Sequence, residues 1–305
     1  MKIVIIGASG FVGSRLNRDL LESGHHVTGV ARSEPKTATA HPNHRFIAAD
    51  TTQPGEWMKA LAEADAVVNL AGRSIFQRWT DTIKQEIRES RILTTRNVVE
   101  GLAAASSATL ISTSGVGFYG DRGDQLVTEK EPAGNDFLAR LSVDWEGAAL
   151  RAAEKGCRVV LMRLGVVLGR GGGAMAQMVP AFKACVGGPI GSGKQWFAWI
   201  HLDDLSAAVR FLLEHPGISG PINLCSPNPV RNRDLADALG RALNRPAFMP
   251  APAFALRLVL GEFASVLLGS QRAVPEKLLQ HRFAFQYPDI LPAVQAVVQP
   301  DRVAV

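Results

Sequence analysis

Short runs of apolar residues alternate along this chain with stretches whose apolar positions recur at helical spacing. Ile3 to Ile6 is apolar at every position, which marks a strand buried on both faces. Val12, Leu16 and Leu20 follow at intervals of four, with Leu21 beside them, and Gly24 stops the pattern as a helix end. The same reading predicts strands at Val27–Ala31, Phe46–Ala49, Ala66–Leu70, Leu110–Thr113 and Arg158–Leu161. It predicts helices at Glu56–Ala64, along a stretch from Thr80 to Ala105, and at Phe137–Lys155. Continuously apolar strands separated by helices give a parallel sheet wound by right-handed crossovers. The expected fold class is therefore α/β, a doubly wound parallel sheet.

After about residue 169 the pattern changes. Gly171-Gly172-Gly173, Gly187-Gly188 and Gly191-Ser192-Gly193 crowd a short span that Pro180 and Pro189 interrupt. Ile200–Leu213 and Ile222–Leu224 return to the earlier rhythm. The expected organisation is a nucleotide-binding unit over 1–168 with 200–226 returning to it. A substrate-side lid at 169–199 and a smaller, mostly helical C-terminal substrate domain at 227–305 complete it. Phe254 to Gly269 is strongly apolar, but it carries Arg257 and Glu262 and is shorter than the ~20 residues of a membrane span. It reads as one or two core helices.

Composition narrows the classes. A chain of 305 residues with 47% hydrophobic and 20% charged positions is an ordinary globular protein. Its net charge of +5 suits an anionic ligand but is too diffuse for a nucleic-acid footprint. Cys157, Cys185 and Cys225 fit neither a disulfide framework nor a metal site. Met1-Lys2 runs straight into the first strand, so no secretory leader is expected, and the default location is cytoplasmic. No nucleic-acid or membrane partner and no metal is expected.

The sharpest local signal is Gly7-Ala8-Ser9-Gly10-Phe11-Val12-Gly13, between the first strand and the first helix. In that setting the first glycine permits a tight turn and the middle one lets backbone approach a pyrophosphate. The last lets helix pack on strand, and the helix start presents free N–H groups and a positive dipole end. The spacing is one residue wider than the G-x-G-x-x-G of typical dehydrogenases. The plainer reading, a glycine turn without a ligand, ignores this strand–turn–helix context. The second strand ends Ala31-Arg32 and not in a carboxylate. A guanidinium there forks onto a 2′-phosphate, so the cofactor expected is NADP(H) and not NAD. Asp50, at the end of the third strand, would either accept from an adenine amino group or cap Thr51-Thr52. Asn69-Leu70-Ala71-Gly72 places small residues where backbone would approach the cofactor.

Together these residues resemble the extended short-chain dehydrogenase/reductase superfamily, its NAD(P)-dependent epimerase/dehydratase group, with the Rossmann-type fold of that group. Arg78-Trp79-Thr80, Lys84 to Arg91, Asp144-Trp145-Glu146, Arg163 to Gly169, Gly187 to Gly193 and Trp199 to Asp204 are similar to one atypical branch, called epimerase family proteins. The tail from Pro250 to Phe283 resembles that branch's C-terminal module. The resemblance implies that Ala31, Arg32, Leu70, Ala71, Glu86, Arg91 and Val167 belong to the cofactor site. Glu86 and Arg91 are five apart on a helix, so they project about 140° from one another. Of the two, Arg91 better suits phosphate or ribose.

The superfamily's proton relay is a tyrosine four residues before a lysine, which lowers the phenol's pKa. This chain has two tyrosines; Gly123 stands four after Tyr119 and Leu291 four after Tyr287. Counted back from Glu146, Leu138 and Ser142 occupy the two places. The catalytic candidates that remain are Ser114, at the end of the fifth strand, and Tyr119. The alternative is that Ser114 caps a turn and Tyr119 packs beneath it. His201 beside Asp203-Asp204 reads as structural. Gly188 to Lys194 mimics a nucleotide-triphosphate loop, but Gln195 stands where Ser or Thr would hold magnesium. Lys194 would instead offer a charge to an anionic substrate, with Trp196, Phe197 and Trp199 packed under the loop or walling a pocket.

The function expected is an NADP(H)-binding oxidoreductase or epimerase that acts on a small, nucleotide-sugar-like substrate without the usual dyad. The alternative is a non-catalytic NADP(H)-binding regulator or redox sensor that works through a protein partner. The mixed charges of the 80–105 helix also leave a homodimer surface open.

Overall fold

The computed structural model describes residues 1–34, 41–104 and 107–299. Pro35, the expected helix end at Ala105 and the tail from 300 to 305 lie outside the described residues. Seven strands form the main sheet: β1 (Lys2–Ile6), β2 (His26–Ala31), β3 (His44–Ala48), β4 (Ala66–Asn69), β5 (Thr109–Gly115), β6 (Arg158–Leu164) and β7 (Gly220–Leu224). Their order is β7-β6-β5-β4-β1-β2-β3, and every neighbouring pair is parallel. The order reverses beside β1, where β2 lies on one side and β4 on the other. In an open parallel sheet that crevice, at the carboxyl ends of the strands, is where ligands bind.

The main helices are α1 (Phe11–Glu22), α2 (Asp81–Gly101), α3 (Phe137–Leu150), α4 (Gly173–Lys183), α5 (Leu202–Glu214), α6 (Asn232–Leu243), α7 (Ala253–Leu260) and α8 (Ile290–Val298). Side-chain alternation along β1 shows why the strands carry no polar face. Ile3 and Ile5 pack with Leu16 and Leu20 of α1 and with Leu205, Val209 and Leu212 of α5. Val4 and Ile6 point the other way, onto Val98 of α2, Ala149 of α3 and Trp57. Helices thus cover both faces of the sheet around β1, and the residues of its central strands are mostly apolar.

The helix boundaries have local causes. Thr80 caps α2 by accepting from the Ile83 amide, and Asp136 caps α3 by accepting from Ala139. His201 caps α5 through Nδ1, which accepts from the Asp203 amide. The stretch predicted as one helix over 56–64 is a 3₁₀ turn at Glu56–Met58 running into a single helical turn at Lys59–Ala62.

A second core joins α4, α6 and α8 around Met175, Phe182, Trp199, Leu235, Leu239 and Val294. The glycine-rich segments tie this module to the first turn of α1 and to the segment before α7. Phe11, at the start of α1, lies against residues 169–173, and a Cβ at Gly172 would stand 2.3 Å from its ring. Residues 189–191 pair with Ala251: the Gly191 amide donates to Ala251 at 2.8 Å and the Ala251 amide to Pro189 at 2.9 Å. Gly188 meets the Met249 backbone so closely that a Cβ would fall 2.1 Å from its carbonyl oxygen.

One expectation is corrected. The apolar stretch after Phe254 does not form core helices throughout, because no residue of α7 is buried. Phe263 and Ala264 just beyond it are. Hydropathy without a partner surface cannot tell a core helix from an exposed one. Among the described residues no helix is long and apolar enough to cross a membrane.

The Phe11 contact gives a direct test. Gly172→Ala is expected to lower stability by roughly 1–3 kcal/mol through overpacking. Combining it with Phe11→Leu should return part of that loss. Urea unfolding of the two single variants and the double variant measures the coupling.

Candidate functional site at the carboxyl edge of the sheet

The turn between β1 and α1 is built on close backbone approach. Gly7 adopts φ +84°, and its amide donates to the Val30 carbonyl at 2.8 Å. A Cβ at Gly13 would sit 2.3 Å from the Gly7 oxygen, so no side chain fits between the helix and the turn. Gly10 is the N-cap of α1 and no side chain caps that end. The first-turn N–H groups therefore face outward without a protein acceptor, and with the dipole they form an anion site. Ser9 is half-buried and Gly10 exposed at the mouth of this turn; Val12 packs against the core behind it.

The other expected cofactor residues sort by position. Gly7 lies against β4's end, its Cβ position 3.2 Å from the Leu70 carbonyl carbon and the Ala71 amide. Arg91, on α2, leans over Gly72, with its Cζ 3.0 Å from where a Gly72 Cβ would be. Val167 borders the same crevice through Gly173, whose Cβ position is 3.0 Å from both the Val167 oxygen and the Phe11 ring. Ala31 ends β2 buried, and Arg32 is exposed beyond it.

Arg91 is chemically unusual. Burial pushes its guanidinium down to about 10. Its nearest acceptors are the Ile87 carbonyl at 3.0 Å and Ser90 Oγ at 3.5 Å, and its flat face lies 5.1 Å from the Trp145 ring. Among the described residues no carboxylate pairs with it. A desolvated cation without a counter-ion is costly, and an anion in the crevice would offset that cost.

Two expected residues are turned elsewhere. Asp50 accepts from the Thr52 amide at 3.1 Å and the Thr52 hydroxyl at 2.8 Å, so it takes the capping alternative. Glu86 pairs with Arg73 at 2.7 Å, away from Arg91.

Both catalytic candidates are also corrected. Ser114 is 3% exposed and donates to Glu146 Oε1 at 2.7 Å. Tyr119 is fully buried; its hydroxyl donates to Asn223 Oδ1 at 2.6 Å and accepts from Arg163 at 3.0 Å. Burial pushes its phenol up to about 12, despite the opposing charge of Arg163. A phenol held that high, with no open face, is no general acid–base group near neutrality.

What holds these hydroxyls is a pair the motif reading did not join. Arg163 forks onto Glu146, with both bonds at 2.8 Å, and Phe118 stacks 3.5 Å from its Cζ. Burial works against the Arg163 charge, but Glu146 and Tyr119 together outweigh it and raise the guanidinium above its ordinary value. A signal was present: an arginine inside the apolar run of β6 needs a buried acid. Leu138 packs on Gly117 beside this network, and Ser142 is buried one turn before Glu146. His201 is buried, tilted against the Tyr287 ring at 4.0 Å and used as a helix cap, and burial lowers its pKa. Trp199 is buried and Trp196 lies between Arg231 and Arg272, so the aromatic run is packed inside the module. Among the described residues no group of three His, Cys, Asp or Glu is placed to hold a metal.

The comparisons with known proteins fall in line with this geometry. Residues 3–225 match the NAD dependent epimerase/dehydratase family. The chain belongs to that family. Residues 251–297 match a domain of unknown function, DUF1731. The chloroplastic epimerase family protein SDR39U1 homolog of Arabidopsis thaliana is 41% identical over 303 residues, 98% of this chain and 87% of that protein. The human epimerase family protein SDR39U1 (isoform2), crystallised with NADPH, superposes with a TM-score of 0.85. The two are 32% identical, and the match covers 97% of this chain and 99% of that one. The nucleoside-diphosphate sugar epimerase of Corynebacterium glutamicum has a TM-score of 0.78 and 37% identity, and the match covers 97% of this chain and 58% of that one. This member of the epimerase/dehydratase family thus shares the fold of those two structures over nearly its whole length.

Removing one partner of the buried pair should be severe. Arg163→Met leaves Glu146 charged and alone, at an expected cost of about 3–5 kcal/mol, and adding Glu146→Leu should recover part of it. Urea unfolding reads both. A pH test concerns Glu129, which is 5% exposed and accepts from the Asn223 and Lys277 amides. Burial raises its pKa above the ordinary 4.5. The folded state therefore holds this proton more tightly than the unfolded state. That contribution is present at low pH and is lost as pH rises through the raised value. The urea midpoint of Glu129→Gln should accordingly gain on that of the wild type between the carboxylate range and neutrality.

Proposed function

We propose that this chain binds NADP(H) at the β1–α1 corner and is an oxidoreductase or epimerase of its family, acting on a small nucleotide-sugar-like substrate. The observation that carries the reading is the pairing of an uncapped helix N-terminus with the counter-ion-free Arg91 across the Gly7–Ala71 contact. Phosphate chemistry satisfies both at once. Arg32, exposed where a ribose-binding carboxylate would repel a 2′-phosphate, favours the phosphorylated cofactor. When bound, nicotinamide supplies hydride transfer. The chain's own residues grip the pyrophosphate, orient the ring toward the crevice below β5, and exclude water with the 169–173 loop.

In this reading Arg163 and Glu146 position Ser114 and do not move protons themselves. Any proton exchanged with the substrate comes from another group or from water. A second reading, an NADP(H)-binding regulator acting through a protein partner, is favoured by one observation. The two hydroxyls nearest the expected reaction centre are buried and already bonded.

Calorimetry with NADPH and NADH tests the cofactor assignment. Arg32→Ala should weaken NADPH by about 10-fold or more, as loss of charge-assisted bonds predicts, and leave NADH nearly unchanged. Arg91→Met should weaken both. Failure of the wild type to bind either dinucleotide at millimolar concentration would refute the proposal. Consumption of NADPH fluorescence in a panel of sugar nucleotides and carbonyl metabolites supports the enzyme. Tight binding with no consumption, together with a protein captured only in the presence of NADPH, supports the regulator.

A further inference from the structure

The exposed face around α7 is not used by the nucleotide corner or by the module core. Phe254, Leu258 and Val259 on this helix are 74%, 75% and 66% exposed, and Phe248 and Met249 just before it are 74% and 46% exposed. At about 100° per residue, Phe254, Arg257, Leu258 and Val259 fan over roughly half of the helix circumference. Val186, 54% exposed, extends the patch, because the Met249 amide donates to Gly187 at 3.4 Å. Contiguous apolar exposure of this kind marks an interaction site.

Charge identifies the partner. Every exposed side chain from 241 to 259 is apolar or arginine, apart from Asn244. Arg241, Arg245 and Arg257 are the three cations, and no acid occurs between Asp237 and Glu262. Glu262 is itself neutralised by an ion pair with Lys84. Phenylalanine and aliphatic side chains interleaved with arginines, without acids, form the pattern of an element that lies in a lipid headgroup layer. A two-fold contact with a second copy would bring together two faces that each carry arginines and no acid. A purely apolar protein groove would leave them without partners.

We propose that this face, centred on α7, docks the protein on anionic lipid bilayers. Phe254, Leu258 and Phe248 enter the headgroup boundary, and the three arginines meet lipid phosphates. This departs from the expectation of no membrane partner, which concerned spanning segments; a helix lying in the interface need not span. The face adjoins the 187–193 loop through the Ala251 pairing, so docking would set one wall of the substrate crevice against the lipid surface.

Co-sedimentation of the full chain with sucrose-loaded vesicles tests the proposal. The wild type should sediment with phosphatidylcholine vesicles containing roughly one-third phosphatidylglycerol, and weakly with phosphatidylcholine alone. High salt should reduce binding. Replacing Arg241, Arg245 and Arg257 with alanine together should lower partitioning by about 100-fold, at roughly 5-fold per cation. Phe254→Ser with Leu258→Ser should abolish it. All five side chains are exposed, so melting temperature and NADPH affinity should stay at wild-type values, which separates this outcome from failure of the cofactor reading. The proposal is overturned if the wild type stays in the supernatant with anionic vesicles, or if the serine variant sediments as the wild type does. It is equally overturned if sedimentation velocity shows a dimer that the serine variant dissociates, which would make the face a self-association surface.

Discussion

The Gly7 carbonyl oxygen and the Gly13 α-carbon share a space too small for a methyl group, and the rest of the molecule is arranged around that contact. It brings α1 down onto the end of β1 and points an uncapped row of amides across the crevice where strand order reverses. The end of β4 closes one side through the Leu70–Ala71 backbone, and Arg91 closes the other over Gly72. Because the corner is made of backbone packed on backbone, its shape does not depend on rotamers. This rigidity is what a preformed anion site needs.

The same corner anchors the second half of the protein. Phe11 projects from the first turn of α1 into the glycines at 169–173, so the loop leading to α4 is held by the residue next to the anion site. The start of α1 and the loop leading to α4 thus share one contact, the Phe11 ring. The other link runs through Glu129, which ties the Asn223 amide of β7 to the Lys277 amide of the C-terminal segment. The C-terminal segment is tied in elsewhere too: its Ala251 pairs with the 189–191 loop.

Arg163 and Glu146 form an ion pair buried from water. The pair occupies the interior beside the end of β5 and holds both nearby hydroxyls. An ion pair taken out of water must have every donor and acceptor met, and Ser114 and Tyr119 serve that need. Hydroxyls recruited to satisfy buried charge are poorly placed to exchange protons with a substrate.

Strand and helix order were legible because the central strands are covered on both faces, so their unbroken apolar runs report burial. The phosphate corner was legible because backbone approach demands glycine at fixed intervals from a strand end. Arg91 was named through family resemblance, but its lack of a counter-ion emerged only when α2 was packed against the end of β4. The destination of a side chain depends on neighbours distant in the chain. Glu86 turned to Arg73, and Tyr119 to Asn223, a residue 104 positions away. Likewise α7 had the hydropathy of a core helix; Leu260 packs toward Phe263, but nothing among the described residues covers Phe254, Leu258 and Val259. The linear chain determines which residues must leave water and where backbone must come close. The folded chain alone decides which polar group meets which, because those partners are brought together by packing and not by spacing.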